Sequence, residues 1–155
     1  MNAPVHPERR SSGGSHGVIQ MDNMDKVELN DRARAILQST TFAHISAVDP
    51  AGRPHVTPVW VETDKNRVWI NTARGRMKDR LLQLDAPVAI AAVDPENPYE
   101  HVQVRCRVTE RRMLGADADI DYLGQKYLDK ETYPFRQPGE ERVTIVVSPE
   151  QVTGV

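Results

Sequence analysis

Between Tyr99 and Thr109 the sequence alternates with a period of two. Val102, Val104, Cys106 and Val108 fall on one side, and His101, Gln103, Arg105 and Arg107 on the other. Only an extended chain sends successive side chains to opposite faces, so this stretch is predicted to be a strand with one apolar face and one polar face. Comparable β-rich runs occur at Phe42 to Val48, His55 to Glu62, Arg67 to Thr72, Val88 to Val93 and Arg142 to Val147, with Gln151 to Val155 as a short last strand.

The connections between these runs decide how they pair. Asp49, Pro50, Ala51 and Gly52 separate the first two runs, and Asp64, Lys65 and Asn66 separate the next two. Such segments supply fixed φ, side-chain capping and positive φ, which make tight hairpins but cannot cross over between parallel strands. Three short helices are expected beside the strands. One begins after Asn30 with Ala33, Ile36 and Leu37 at helical spacing and ends near Gln38. A second follows Gly75 with Met77, Leu81 and Leu84 on one face and stops before Pro87. A third starts near Ala116 with Ile120, Leu123 and Tyr127. The prediction is a mainly β, α+β domain, a six-stranded antiparallel barrel with short flanking helices.

At 155 residues the chain has room for one ordinary core. Patterned sequence begins near Val27, so residues 27–155 are expected to form the domain and residues 1–26, rich in Ser, Gly and His, a flexible tail. That tail lacks the apolar segment of a secretory signal, and no apolar run approaches the roughly 20 residues that span a bilayer. A net charge of -2 provides no global attraction to nucleic acid or an anionic membrane. The single cysteine fits a cytoplasmic setting.

Arg74, Arg76, Lys78 and Arg80 place four cations in seven residues, with Asp79 the only acid among them, where a strand gives way to a helix. Cations at a helix N-terminus oppose the macrodipole, whereas a bound anion would reverse that argument. Two readings stay open from spacing alone, a solvated basic face and a phosphate or carboxylate site. The other chemistries lack candidates. Gly75 stands alone, without a dinucleotide or phosphate-loop signature. The histidines His6, His16, His44, His55 and His101 lack zinc spacing, and no metal site is expected. No GxSxG elbow surrounds Ser46 or Ser148. Alternation sends the arginines flanking Cys106 to the opposite face, which favours packing over catalysis for that thiol. A chain without its own nucleophile suits redox work, in which a cofactor carries the hydride.

Three segments carry a resemblance to a known family: AGRPHVTPVWV (Ala51 to Val61), VWINTARGRMKDRLLQLDAPVAI (Val68 to Ile90) and DPENPYEHVQVRCRV (Asp94 to Val108). From Leu29 to Val155 the sequence resembles the pyridoxamine 5'-phosphate oxidase-like superfamily, in particular its coenzyme F420-dependent oxidoreductases. The resemblance implies a split β-barrel of the FMN-binding type. It places Thr57, Pro58, Val59 and Trp60 near a flavin or deazaflavin ring, and Asn71, Thr72, Arg76 and Lys78 at its phosphate. Arg74 and Arg80 lie beside that motif, facing either the anionic tail or water. His101 is similar in position to a residue that reaches the ring, and is a candidate proton donor. The sequence departs from the family at Leu81, where Asn is common, and at Cys106, where Gly is common.

The expected activity is hydride transfer between F420 and an unsaturated small molecule. The alternatives are an FMN-dependent oxidoreductase of the pyridoxamine-phosphate-oxidase type, or a non-catalytic protein that binds flavin, F420 or haem. The resemblance also implies a homodimer with the cofactor at the subunit boundary. Nucleic acid is not an expected partner, because the basic cluster is short and lacks aromatic stacking platforms.

Overall fold

In the computed structural model, residues 27–155 are described, and the tail expected over residues 1–26 lies outside them. The first helix, α1 (Asp31–Gln38), starts where the Asn30 side chain accepts the Ala33 N–H at 2.7 Å. It buries Ala33, Ile36 and Leu37. Seven strands follow: β1 (Ala43–Val48), β2 (Pro54–Val59), β3 (Glu62–Asp64), β4 (Arg67–Ala73), β5 (Pro87–Asp94), β6 (Asn97–Arg112) and β7 (Arg142–Gly154). Two further helices interrupt them, α2 (Met77–Leu81) and α3 (Ala116–Leu128).

All the strand pairs are antiparallel, in the order β2-β1-β5-β6-β7-β4-β3. The two outermost strands, β2 and β3, are consecutive in the chain and joined only by Trp60 and Val61. So short a link brings the two edges of the sheet together, rolling it, while among the described residues no hydrogen-bond ladder closes the seam. This is a split β-barrel, with seven strands in place of the six expected. The single strand predicted over His55 to Glu62 is broken because the Val61 N–H is given to the Tyr127 hydroxyl, at 3.1 Å, instead of to a neighbouring strand. On one side of the break β2 pairs with β1, and on the other β3 pairs with β4.

Two apolar clusters flank the sheet. Inside the barrel, α1 packs with Ile45, Val61, Ile70, Ile90 and Val104. Outside it, α3 presses Ile120 and Leu123 onto Trp69 and Val146. With cores on both sides, β4 and β7 are buried on both faces over much of their length, which explains the run Val143 to Val147, apolar except for Thr144, whose hydroxyl donates to Asp119 at 2.7 Å. Gln151 to Val155, expected as a separate strand, instead continue β7 as far as Gly154, past Pro149, where the register with β6 shifts.

One helix differs from its predicted extent. The apolar spacing of Met77, Leu81 and Leu84 suggested a helix of two or three turns, but α2 has five residues, with Met77 and Leu84 exposed and Leu82 filling the core. Cys106 is buried as expected, and burial pushes its thiol up to about 12, leaving it a neutral packing group.

Candidate functional site

A cleft of about 260 Å³ opens between the seam of the barrel, the end of β4, α2 and α3. Its floor is Pro58 and Val59 of β2 with Asn71 and Thr72 of β4, and its cationic end is Arg76, Lys78 and Arg142. Phe42, Trp60 and Tyr133 form an aromatic wall.

That wall is the end of a longer array. Phe42, Tyr127, Trp60, Tyr133 and Phe135 follow one another at centroid separations of 5.7, 5.1, 5.9 and 5.7 Å, with Trp60 stacked nearly parallel on Tyr127. Both phenylalanines of the chain belong to it, and both are 59% exposed, although burial would stabilise them. The array is held from behind. The Tyr127 hydroxyl donates to the Thr41 carbonyl at 2.6 Å while accepting the Val61 N–H, and the Lys126 ammonium donates to the Val61 and Leu37 carbonyls beside Glu62. Burial pushes the Tyr127 phenol up to about 12, so it remains a donor. These bonds fix the backbone at Trp60 and Val61, where the barrel splits.

The cationic end is equally constrained. Gly75, at φ +88°, turns the chain from β4 into α2, a conformation that suits glycine. Its N–H is taken by Asp79 at 2.9 Å, and Arg111 grips the Asp79 carboxylate at 2.5 Å and the Leu82 carbonyl. Burial raises the Asp79 pKa, but the Gly75 N–H and Arg111 outweigh it, and Asp79 stays below its ordinary value as a carboxylate. This frame sets the directions of Arg76 and Lys78.

The charge of the basic cluster is offset in the fold by acids from elsewhere in the chain. Arg76 pairs with Glu140 at 3.3 Å, and Arg74 lies 3.8 Å from Glu141 and 3.9 Å from Asp79. Asp79 is therefore not the only opposing charge. Lys78 differs: it is half-buried and has no carboxylate within salt-bridge distance among the described residues. Desolvation, with Arg76 and Arg142 nearby, holds its pKa below the ordinary value. In the same cleft Thr72 is 1% exposed, and among the described residues its Oγ1 has no hydrogen-bond partner. An orphaned buried hydroxyl next to an uncompensated ammonium is costly unless a ligand supplies the missing acceptor.

Seven of the residues singled out from the sequence line this cleft: Pro58, Val59, Trp60, Asn71, Thr72, Arg76 and Lys78. The remaining four do not. Thr57 borders a separate small cavity of about 60 Å³ on the other side of Lys78, with its own Oγ1 unpartnered. Arg74 lines a polar hollow with Arg111 and Arg112, and Arg80 is exposed. His101 stands opposite Val93 on β6, and its carbonyl accepts the Val155 N–H, so within one chain it takes no part in the cleft.

Sequence reasoning missed Arg142, Tyr133 and Phe42. Arg142 is 4% exposed, donates Nε to Asn71 at 2.8 Å and Nη1 to Glu140 at 2.9 Å, and lies 5.2 Å from the Tyr133 ring centre. The available signal was its place as a charge opening the mostly apolar run Val143 to Val147. Its register partner Ala73 lies next to Thr72, but this becomes visible only once β4 and β7 are paired.

The sequence profile of the pyridoxamine 5'-phosphate oxidase family matches residues 29–155. Comparison with curated protein sequences finds no match. Among solved structures, an F420 reductase superposes with a TM-score of 0.68 at 28% identity, covering 77% of this chain and 94% of its own. A Listeria innocua protein described as a pyridoxamine 5'-phosphate oxidase gives a TM-score of 0.59 at 15% identity, covering 83% and 98%. HupZ of Group A Streptococcus gives 0.60 at 15% identity, covering 82% and 94%. The last two share the fold alone. With the profile spanning the whole barrel, the chain belongs to the pyridoxamine 5'-phosphate oxidase family.

Proposed function

We propose that this chain is an oxidoreductase that holds coenzyme F420, or alternatively FMN, in the cleft and passes a hydride between it and an unsaturated small molecule. The observation that carries the reading is the polar end of the cleft. Among the described residues the Thr72 hydroxyl lacks an acceptor and the Lys78 ammonium lacks a carboxylate, and Arg76 and Arg142 line the same end of the cleft. These donors fit a phosphate. The 28% identity to an F420 reductase over most of both chains favours the deazaflavin.

In this reading Lys78 and Arg76 bind the phosphate through charge-assisted hydrogen bonds, and Thr72 Oγ1 donates a further one. The edge strand β2 offers unpaired backbone groups to the ring, and Trp60 and Tyr133 exclude water from its flank. When bound, the coenzyme supplies the hydride chemistry, and the chain orients it.

A cleft of about 260 Å³ is smaller than the roughly 300–1,000 Å³ that encloses a ligand of this size. A second surface would complete it. Exposed Val48 and Val56 on the outer face of β1 and β2 line, with Gln103 and Arg105 of β6, grooves of about 510 and 340 Å³. The reading therefore includes a homodimer, and any role for His101 belongs to the partner's cleft. Sedimentation should give twice the chain mass, and a monomer with full cofactor affinity would refute this part.

Among the described residues no helix is long and apolar enough to cross a membrane. The cytoplasmic setting and the small-molecule substrate expected from the sequence belong to the proposal.

Titration of the purified full chain with F420, FMN and haem, followed by fluorescence and absorbance, tests the assignment. F420 should bind most tightly, with FMN competing for the same site. Preferential haem binding, or no binding of either phosphate-bearing ligand, would overturn it.

A further inference from the structure

Glu140 has no role in the reading above, yet it lies against the anion end of the cleft. Its side chain is 6% exposed, and its Oε1 is shared between Arg76 at 3.3 Å and Arg142 at 2.9 Å. The other oxygen, Oε2, accepts the Gln137 N–H at 3.3 Å. Both oxygens are thus held, and the negative charge is fixed immediately behind two of the three cations that line the cleft. Arg74 is occupied by Glu141 and Asp79, and Arg80 is exposed, so neither relieves this arrangement.

The geometry points to Glu140 as a specificity-determining residue, one that shifts the cleft towards a singly charged phosphodiester and away from a doubly charged phosphomonoester. This rests on the reading of the cleft as a phosphate site. Repulsion from a fixed carboxylate is proportional to ligand charge, so it opposes a dianion twice as strongly as a monoanion at the same position. Desolvation adds to the bias, because its cost climbs faster than charge. F420 carries its phosphate as a diester with one charge. FMN carries a monoester that is close to a dianion at pH 8, since the second phosphate pKa is about 6.

FMN and its monomethyl phosphate ester isolate the effect, because they share the ring and ribityl chain and differ at the phosphate. Their dissociation constants would be measured at pH 8 by fluorescence quenching, with F420 and riboflavin as references. Glu140→Gln keeps the size and the acceptor oxygen but removes the charge. It should strengthen FMN binding relative to the ester by about tenfold, as one unit of charge acts across roughly 10 Å at an effective dielectric of about 20. Glu140→Asp keeps a carboxylate facing Arg76 and Arg142 but withdraws it by one methylene, so it should move the ratio the same way by less. This second variant decides the matter if Glu140→Gln does not fold.

An unchanged ratio in the folded variants, with both ligands still bound more tightly than riboflavin, would overturn the role of Glu140 and leave the phosphate site standing. If FMN, its ester and F420 all bind wild-type protein no better than riboflavin, the phosphate reading fails and this inference with it.

Discussion

Replacing Lys78 with alanine is expected to lower affinity for F420 or FMN by about one to two decades, the equivalent of a charge-assisted hydrogen bond worth about 1.5–3 kcal/mol. The ligand-free chain should become more stable at the same time. Lys78 is half-buried between Arg76 and Arg142 without a carboxylate partner among the described residues, so in the absence of ligand its charge is a net cost. Arg76 would behave differently. Its partner Glu140 is buried, so removing Arg76 weakens binding without stabilising the apo chain.

The pH dependence has a definite sign. Desolvation first, then Arg76 and Arg142, depress the Lys78 pKa below 10.5, so between the folded value and 10.5 the unfolded chain binds more protons than the folded one. Stability contributed through this group therefore increases with pH across that window, and Lys78→Ala should abolish the increase. Binding runs the other way. An anion favours the ammonium, so phosphate-ligand affinity should decline as pH passes upward through the depressed pKa. Paired melting curves and titrations of the two proteins check both signs. Equal affinity of wild type and variant for F420 and FMN would reduce the basic cluster to a solvated face.

Much of this site was legible because it lies on consecutive local motifs. The β4–α2 segment from Asn71 to Lys78 holds four of the cleft residues within one turn of the chain, and a cluster of cations at that junction is visible without any tertiary information. Strand alternation identified β6, and the burial of Cys106 with its thiol pushed up to about 12 follows from the same parity. The missing residues come from long-range pairing. Arg142 reaches Asn71 across the β4–β7 ladder, and Tyr133 arrives from the segment after α3, where its backbone approaches within 3.4 Å of a Cβ built on Gly124. The break at Trp60 and Val61 was hidden for a related reason. Its cause is a tyrosine hydroxyl 66 positions away that takes one backbone N–H, leaving no mark on local periodicity.

Arg142→Met should show how closely stability and binding are joined at that ladder. The guanidinium is nearly enclosed, holding Asn71 through Nε and Glu140 through Nη1 against the Tyr133 ring. Removing one member of a buried ion pair leaves the other charge desolvated and typically costs about 3–5 kcal/mol. Arg76 still reaches Glu140 from the exposed side, so the lower end of that range is expected. For a domain of this size that corresponds to a fall in melting temperature of roughly 10 °C. Methionine fills comparable volume, so a cavity contributes little to the loss. Adding Glu140→Leu to Arg142→Met removes the stranded carboxylate as well, and replacing a whole buried pair with apolar groups is often neutral. The double variant should therefore recover much of the lost stability. It should not recover affinity for F420, because Arg142 lines the cationic end of the cleft and no apolar side chain replaces its charge. If affinity returned together with stability, Arg142 would be a structural strut whose place at the cleft is incidental. If neither returned, the Asn71 and Tyr133 contacts, not the ion pair, would be what holds β4 and β7 in register at the site.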